Sequence, residues 1–328
     1  MNTIYRLIVA IFFVLFMQLV ISQIIEAKEK EYPEKPIQFL VGQVAGSTTD
    51  LGARVLSKIA AKYLEKPLVV VNMPGAMQTV AMNELAKSTP DGHTIGLMTS
   101  SYPSVNPYTQ KLPFDVKVLK PLLGYVQFRH VIYVRADSPY AKLEDFIAYG
   151  QKNPGAIKFG HPGKGGVTAL EGLLFFRSAN IKATDVPYKG SAEYIQAVIG
   201  GHILCAIGDI SGVAQYVRAG TLKPLVTFSD HRLKEVPEVP TSKEKGFADL
   251  SALDPMVYIG IHRDTPADRM QRLHDALKKT VEDPEFTKIL DDMGMKSGYI
   301  PPSKVEEIIL KTEDLVVPLL KELKLTIE

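Results

Sequence analysis

The sequence predicts an α/β protein built from two lobes with a ligand cleft between them. Short apolar runs that read as buried strands alternate with helical patterns, at the spacing of parallel β–α–β units. The chain leaves a first α/β unit near residue 135, builds a second one and returns to the first near residue 255. We therefore expect one lobe from residues 28–134 and 256–328, a second lobe from residues 135–255, and a two-strand hinge between them.

The predicted elements follow one another in a regular order. Apolar runs typical of buried strands alternate with stripes of helical period. Thr265-Pro266 supplies a capping residue followed by proline at a helix start. The predicted strands are Ile37–Val41, Pro67–Val71, Thr94–Met98, Val131–Val134, Ile157–Phe159, Ile203–Ile207, Leu222–Val226 and Met256–Ile261. The predicted helices include Thr79–Lys87, Leu143–Gln151 and Ala192–Ile199, and helical patterns continue to the C-terminus.

Each lobe contains a strand that runs into a glycine-bearing turn and then into a helix. In the first lobe this turn is Gly42–Asp50, and in the second it is Gly160–Thr168. Glycine allows a tight turn, and Ser or Thr at its end can cap the helix. A helix start presents unpaired N–H groups and a partial positive charge, which suits an anion. Two such turns facing each other across a cleft would clamp a carboxylate.

Ligands of open α/β sheets bind at the carboxyl ends of the strands, so residues that follow a strand are further candidates. Ser100, Ser101 and Tyr102 follow the strand that ends at Thr99. Asp209 follows the strand Ile203–Ile207. Tyr188 is expected near the cleft or the hinge, and core packing is the equal alternative.

Composition excludes several classes of function. The 328 residues carry a net charge of +2 without a basic-aromatic stripe, which argues against nucleic-acid binding. Cys205 is the only cysteine, so neither an intrachain disulfide nor a thiolate cluster can form, and its apolar surroundings indicate a buried thiol. The seven histidines show no metal spacing, and no Gly-x-Ser-x-Gly elbow occurs. Gly160–Gly166 lacks the Ser or Thr that follows the lysine of a phosphate loop. We therefore expect no cofactor, no metal and no enzymatic activity.

The N-terminus predicts secretion. Arg6 precedes the apolar stretch Leu7–Ile21. This stretch is shorter than the roughly 20 residues that a bilayer span usually needs. Residues 1–27 are therefore interpreted as a signal peptide, with an uncleaved anchor as the alternative. In either case the remainder would lie in the periplasm.

A series of short motifs, in the same order along the chain, resembles one family. The motifs are Tyr32-Pro33 with Lys35-Pro36-Ile37, Ala45-Gly46 with Thr49-Asp50 and Ala53-Arg54, Val71-Asn72 with Pro74-Gly75-Ala76, Pro90–Thr94, Val186–Ala192, Val239-Pro240-Thr241 with Glu244 and Gly246, and Thr265-Pro266. From about Tyr32 to about Leu320 the chain resembles the Bug family, the extracytoplasmic solute receptors of tripartite tricarboxylate transporters. The resemblance implies a type II periplasmic-binding-protein fold. It also implies that main-chain N–H groups and waters of the two turns, Val44–Asp50 and His161–Thr168, hold one carboxylate of the ligand.

The chain departs from the family pattern at three places. Gly46-Ser47 stands where two glycines are usual, and Met77-Gln78 follow Pro74-Gly75-Ala76 where the family continues with two glycines. The second turn is glycine-rich rather than serine-rich, and it contains Lys164, for which we predict a charge-assisted contact to an anionic ligand. The alternative for Lys164 is a solvated loop lysine. The Asp50 carboxylate either interacts favourably with the positive end of the helix dipole or contacts a donor on the ligand.

Together these observations predict a receptor that closes on a small carboxylate-bearing metabolite. The ligand would be a di- or tricarboxylate, an amino acid or an aromatic acid, delivered by a monomeric receptor to the permease subunits of a tripartite transporter. The alternatives are a ligand-loaded receptor for a sensor kinase and a periplasmic enzyme. The predicted ligand-binding residues are Val44, Ala45, Gly46, Ser47, Thr48, Thr49, Asp50, Ser100, Ser101, Tyr102, His161, Gly163, Lys164, Gly165, Gly166, Val167, Thr168, Tyr188 and Asp209.

Overall fold

The computed structural model describes residues 32–163, 166–188, 190–247, 250–253, 255–293, 295–322 and 324–327. The predicted signal peptide, Lys164 and Gly165 lie outside these ranges. The described chain forms two mixed β-sheets with helices on their faces, which confirms the predicted α/β class and its two-lobe layout.

The first sheet has six strands. They are β1 Ile37–Val41, β2 Leu68–Asn72, β3 Thr94–Thr99, β4 Leu119–Gln127, β10 Met256–His262 and β11 Ser297–Ile300. Their order across the sheet is β11-β4-β10-β3-β1-β2. Strands β1, β2 and β3 are parallel, while β10 runs antiparallel between β3 and β4. The helices associated with this sheet are α1 Thr48–Leu64, α2 Thr79–Lys87, α3 Ser101–Thr109, α8 Ala267–Glu282, α9 Pro284–Asp292 and α10 Pro302–Glu322.

The second sheet has five strands. They are β5 His130–Arg135, β6 Ile157–Pro162, β7 Ala183–Tyr188, β8 Cys205–Asp209 and β9 Leu222–Thr227. Their order is β7-β6-β8-β5-β9. Strands β6, β7 and β8 are parallel, while β5 runs antiparallel to both of its neighbours, β8 and β9. The helices are α4 Leu143–Lys152, α5 Val167–Ser178, α6 Ser191–Ile199 and α7 Ile210–Arg218.

The chain passes between the sheets in two adjacent connections. Strand β4 ends the first sheet at Gln127 and β5 begins the second at His130, while the return reaches the first sheet at Met256. The two connections are hydrogen-bonded to each other, since the Phe128 N–H donates to the Pro255 carbonyl oxygen at 2.7 Å. The sequence assigned Val131–Val134 to the first lobe, and this is wrong: β5 pairs with β8 and β9, so the crossing comes before residue 130.

Each sheet is covered by apolar residues on both of its faces. In the first sheet one core gathers β1, β3, α1, α8 and α9, and a second core on the opposite face includes residues of α2 and Val305 of α10. In the second sheet the two cores lie under α5 and under α6 and α7. Cys205 is fully buried in the α5 core, as its apolar surroundings predict.

The C-terminal helix α10 joins the two lobes. Its first half packs Val305 and Ile308 on the first sheet. Its second half places Val316, Leu319 and Leu320 in the same core as Phe175 and Phe176 of the second lobe. Residues 302–322 thus contribute to both cores rather than to the first lobe alone.

Leu320 is a fully buried member of the shared core. We expect Leu320→Ala to lower the free energy of unfolding by about 2–5 kcal/mol, because it removes this side chain and leaves a cavity. Leu315, on the same helix, is 42% exposed. Leu315→Ala should therefore change that free energy by no more than about 0.5 kcal/mol. Urea unfolding of both variants measures the difference, and equal losses would show that α10 does not anchor the second lobe.

Candidate functional site

The topology places both glycine turns at the sheet edges through which the chain passes from one lobe to the other. The connection after β4 leaves the first sheet at the edge where β1 and β3 end, because β4 runs in the same direction as β3. In the second sheet His130 pairs with Asp209, so the carboxyl ends of β8, β6 and β7 lie at the edge where the chain enters. The turns after β1 and β6 are therefore on the two edges that the connections join.

The buried carboxylate of Asp50 organises the first turn. Its Oδ2 accepts hydrogen bonds from the Gly46 N–H at 2.8 Å and from Arg54 Nε at 2.9 Å. Its Oδ1 accepts one from Asn72 Nδ2 at 2.7 Å. Asn72 also donates to the Gln43 carbonyl oxygen at 3.1 Å, which ties the turn to the end of β2. The Asp50 carboxylate is thus hydrogen-bonded to groups of its own lobe, and these bonds fix the conformation of residues 43–50.

This environment keeps Asp50 ionised. Burial raises the pKa of the Asp50 carboxyl, but the hydrogen bonds from Arg54, Asn72 and the Gly46 N–H outweigh it and hold the pKa below its usual range. The half-exposed Arg54 guanidinium balances the charge. The carboxylate therefore needs no further partner from a ligand.

The start of α1 presents free main-chain donors. Ser47, in an extended conformation with φ −67° and ψ 157°, caps the helix by accepting from the Asp50 N–H at 3.3 Å. Within the described residues, the N–H groups of Thr48 and Thr49 have no acceptor. Val44, Ala45 and Gly46 are exposed beside them. These donors, with the partial positive charge of the helix start, suit an anionic oxygen.

The second turn is built without side-chain caps. Gly163 has φ +78°, a conformation that favours glycine. Its N–H donates to the Tyr188 carbonyl oxygen at 3.1 Å. Gly166 is the N-cap of α5, and no described side chain caps this helix. Val167 and Thr168 form its first turn and are buried. The predicted contact of Lys164 lies outside the described residues.

His161 lies inside the second lobe. Its ring is fully buried beside Phe159, and its Nε2 is 3.4 Å from Asp185 Oδ2. Burial lowers the pKa of the imidazole, and the nearby Asp185 carboxylate only partly opposes this. A neutral imidazole at this position adds no positive charge to the second turn.

Two of the predicted residues at strand ends have side chains that are used within the first lobe. Ser100 Oγ accepts from the Met256 N–H at 3.2 Å, so it holds the returning connection. The Tyr102 ring is 1% exposed and lies in the core with α2. This places Tyr102 in the core rather than in the cleft. Ser101 Oγ, by contrast, lies 2.9 Å from Thr99 Oγ1 at the sheet edge.

Asp209 and Tyr188 hold the second lobe together at the same edge. Asp209 Oδ2 accepts from the Arg129 N–H at 2.6 Å, and its Oδ1 caps α7 through the Ser211 N–H at 2.9 Å. Asp209 therefore holds the connection between β4 and β5 against the second lobe. Tyr188 is half-buried, with its ring 6.3 Å from the Tyr194 ring, which agrees with the packing alternative.

Sequence reasoning missed the groups that position the turns. Asn72 and Arg54 appear only as members of family motifs, although both bind the Asp50 carboxylate. A buried pair at the hinge, His130 Nδ1 and Glu171 Oε2, lies at 2.6 Å and connects β5 to α5. The spacing of His130 and Glu171, 41 residues apart, gives no signal from which this contact could be predicted.

No metal site or membrane span is found in the described part of the chain. Its histidines, cysteine and carboxylates form no group of three that could hold a metal ion. The helices within the described ranges are too short or too polar to cross a bilayer.

Asp50→Ala would leave the Gly46 N–H and Arg54 without their acceptor. We expect this change to lower the free energy of unfolding by about 1–3 kcal/mol, the cost of unpaired hydrogen-bonding groups. The matched control is Asp137→Ala, which breaks an exposed pair with Arg135 and should cost at most about 1 kcal/mol. Urea unfolding at pH 7 compares the two. Equal effects would show that the Asp50 network does not stabilise the fold.

Lowering the pH should destabilise the protein through His161. Its pKa is lower in the folded state than the value of 6.5 for an unperturbed histidine, so the unfolded chain binds the proton more readily. This contribution to stability is complete above pH 6.5 and is lost as the pH falls below it. His161→Gln should therefore reduce the loss of unfolding free energy between pH 7 and pH 5. Parallel pH profiles for both proteins would contradict this.

Comparison with known proteins identifies the family. The family model described as "Tripartite tricarboxylate transporter family receptor" matches residues 52–325. A Cupriavidus necator protein described as "UPF0065 protein in gbd 5'region" is 31% identical over 288 residues, covering 88% of this chain and 87% of that protein. BugT of Bordetella pertussis is 31% identical over 224 residues, covering 67% of this chain and 69% of BugT.

A solved structure shows the same fold. MatC from Rhodopseudomonas palustris, with bound malate, matches with a TM-score of 0.75 and 25% identity, covering 87% of this chain and 100% of MatC. The two-lobe architecture described above is thus that of solute-binding receptors. The chain therefore belongs to the tripartite tricarboxylate transporter receptor family, as its motifs predict, and it is a solute-binding receptor rather than an enzyme.

Proposed function

We propose that this receptor captures a small organic acid and holds one carboxylate of it between the starts of α1 and α5. The observation that supports the proposal is that both helix starts follow strand ends at the sheet edges that the two connections join. Each turn contributes main-chain donors, from Thr48 and Thr49 on one side and from the α5 start on the other. A carboxylate with two oxygens can accept from both lobes at once, so binding favours the closed arrangement.

The electrostatics of the described turns favour an anion without a buried cation. The described charges at the first turn, Asp50 and Arg54, neutralise each other, and the only histidine at the second turn has a lowered pKa. Neutral N–H donors hold a carboxylate without the cost of desolvating a lysine or arginine. MatC, which shares the fold, binds malate, and a di- or tricarboxylate is accordingly the first ligand class to test.

The loaded receptor would act outside the cytoplasmic membrane and deliver its ligand to the permease subunits of a tripartite transporter. The signal-peptide pattern of residues 1–27 and the match to a family of transporter receptors support this location. We propose a monomer that presents its closed form to the permease. A sensor kinase is the second candidate partner.

Native mass spectrometry of the purified protein tests for a bound acid directly. A thermal-shift screen of mono-, di- and tricarboxylates, including malate, should then give one or more acids that raise the Tm. A ligand at about 100 times its Kd adds about 2.7 kcal/mol to the free energy of unfolding. Failure of all acids to bind would overturn the proposed function.

Thr48→Pro should weaken binding of the best acid about tenfold or more, because it removes one N–H donor to a charged oxygen. Proline fits at this position, since Thr48 is the first helical residue and Ser47 before it is extended. Thr48→Ala keeps the N–H group and removes only the side chain, so it should bind nearly as the wild type does. Isothermal titration calorimetry measures both. Similar affinities for the two variants would rule out a main-chain clamp at α1.

A further inference from the structure

The loop after β2, residues 73–78, has an unusual backbone beside the first turn. Ala76, Met77 and Gln78 have φ values of 43°, 49° and 74°. Residues with side chains adopt such values only at a cost in strain. This strain persists where the surrounding structure holds it, and it is concentrated at sites that bind ligands. Here Asn106 Nδ2 holds the Met77 carbonyl oxygen at 2.9 Å.

This backbone places the Gln78 side chain against the first turn. A side-chain carbon added at Gly42 would lie only 2.8 Å from Gln78 Cβ, so the two residues are in close contact. The Gln78 amide Nε2 donates to Thr99 Oγ1 at 2.8 Å, and Thr99 in turn contacts Ser101. The amide is therefore fixed between the carboxyl ends of β1 and β3, at the edge that faces the second lobe.

Two side-chain carbonyl oxygens at this edge are buried but unpaired. Within the described chain, neither Gln78 Oε1 nor Gln43 Oε1 accepts a hydrogen bond. A buried acceptor without a partner costs about as much free energy as the hydrogen bond that it lacks. Two such acceptors beside the first turn therefore call for a hydrogen-bond donor. The neighbouring donor Asn72 Nδ2 is already used by Asp50 and by the Gln43 main-chain oxygen.

We propose that Gln43 and Gln78 select a ligand that carries a hydroxyl or N–H donor in addition to its carboxylate. A carbonyl oxygen repels a carboxylate but accepts from O–H and N–H groups, so these two oxygens recognise a different part of the ligand from the one held by the helix starts. An acid that lacks such a donor leaves both oxygens unpaired. This inference rests on the proposed function and adds the chemical class of the ligand to it.

Matched acids test the preference. Succinate has no donor, malate adds a hydroxyl to the same carbon chain, and aspartate adds an ammonium group instead. We expect the wild type to bind malate or aspartate about three- to tenfold more tightly than succinate, as one added hydrogen bond predicts. Whichever of malate and aspartate binds more tightly shows whether the two side-chain oxygens recognise an O–H or an N–H donor.

Gln78→Gly removes the amide and relieves the left-handed backbone, so it should fold while losing this preference. Gln43→Ala should reduce the preference through the second oxygen. Met77→Gly is the control, because it relieves the same type of strain at the adjacent residue but keeps the Gln78 amide. Calorimetry of each variant with the three acids gives the ratios of Kd values.

The outcomes separate the two hypotheses. A donor preference that is lost in Gln78→Gly and retained in Met77→Gly supports the inference. Binding of acids without a donor preference, or with a preference that Gln78→Gly leaves unchanged, overturns the inference alone. If the wild type binds no acid in this series or in the wider screen, the proposed function fails, and the inference fails with it.

Discussion

Two strands that run against their neighbours determine where ligand chemistry can occur in this fold. Strand β10 lies antiparallel between β3 and β4, and β5 lies antiparallel between β8 and β9. Because of these reversals, the connections leave and enter each sheet at the edge where its parallel strands end. The turns after β1 and β6, and the helices that they start, consequently lie on the two sheet edges that the connections join. Helices that began at the other edges could not act on a shared ligand.

In the first turn, the Asp50 carboxylate that fixes the backbone is distinct from the main-chain N–H groups that could bind a ligand. Asp50 binds Gly46, Arg54 and Asn72, and so keeps its charge inside the lobe. The Thr48 and Thr49 N–H groups at the start of α1 then have no acceptor among the described residues. The start of α5 also leaves main-chain N–H groups without a side-chain cap, because its N-cap is Gly166, which has no side-chain oxygen that could accept from them. In the proposed function, an anionic ligand would accept hydrogen bonds from the N–H groups at both helix starts and so stabilise the closed arrangement.

The sequence was sufficient to predict the alternation of strands and helices, because apolar runs such as Ile37–Val41 are short and well bounded. Strand β4 was missed, since Pro121 and Gly124 interrupt its pattern at the places where its pairing with β10 shifts register. Helix α3 was missed because Pro107 lies inside it. The positions of Gln78 and Arg129 could not be predicted either. They arise from backbone geometry at residue 78 and from a contact of Arg129 with Asp209, which is distant in sequence.

The C-terminal helix limits how the lobes can move. Opening that pulled Val316 and Leu320 out of the second core would expose apolar side chains whose burial is worth about 1.5–3 kcal/mol each. A motion that preserved the packing of α10 on both cores would have to bend the chain at residues 128–129 and at the return before Met256. Such a pivot would change the distance between the turns while leaving the turn held by Asp50 intact. In the proposed function, recognition would then depend on the main-chain donors that the first turn holds in place before the ligand arrives, and closure would bring the donors of α5 to the same carboxylate.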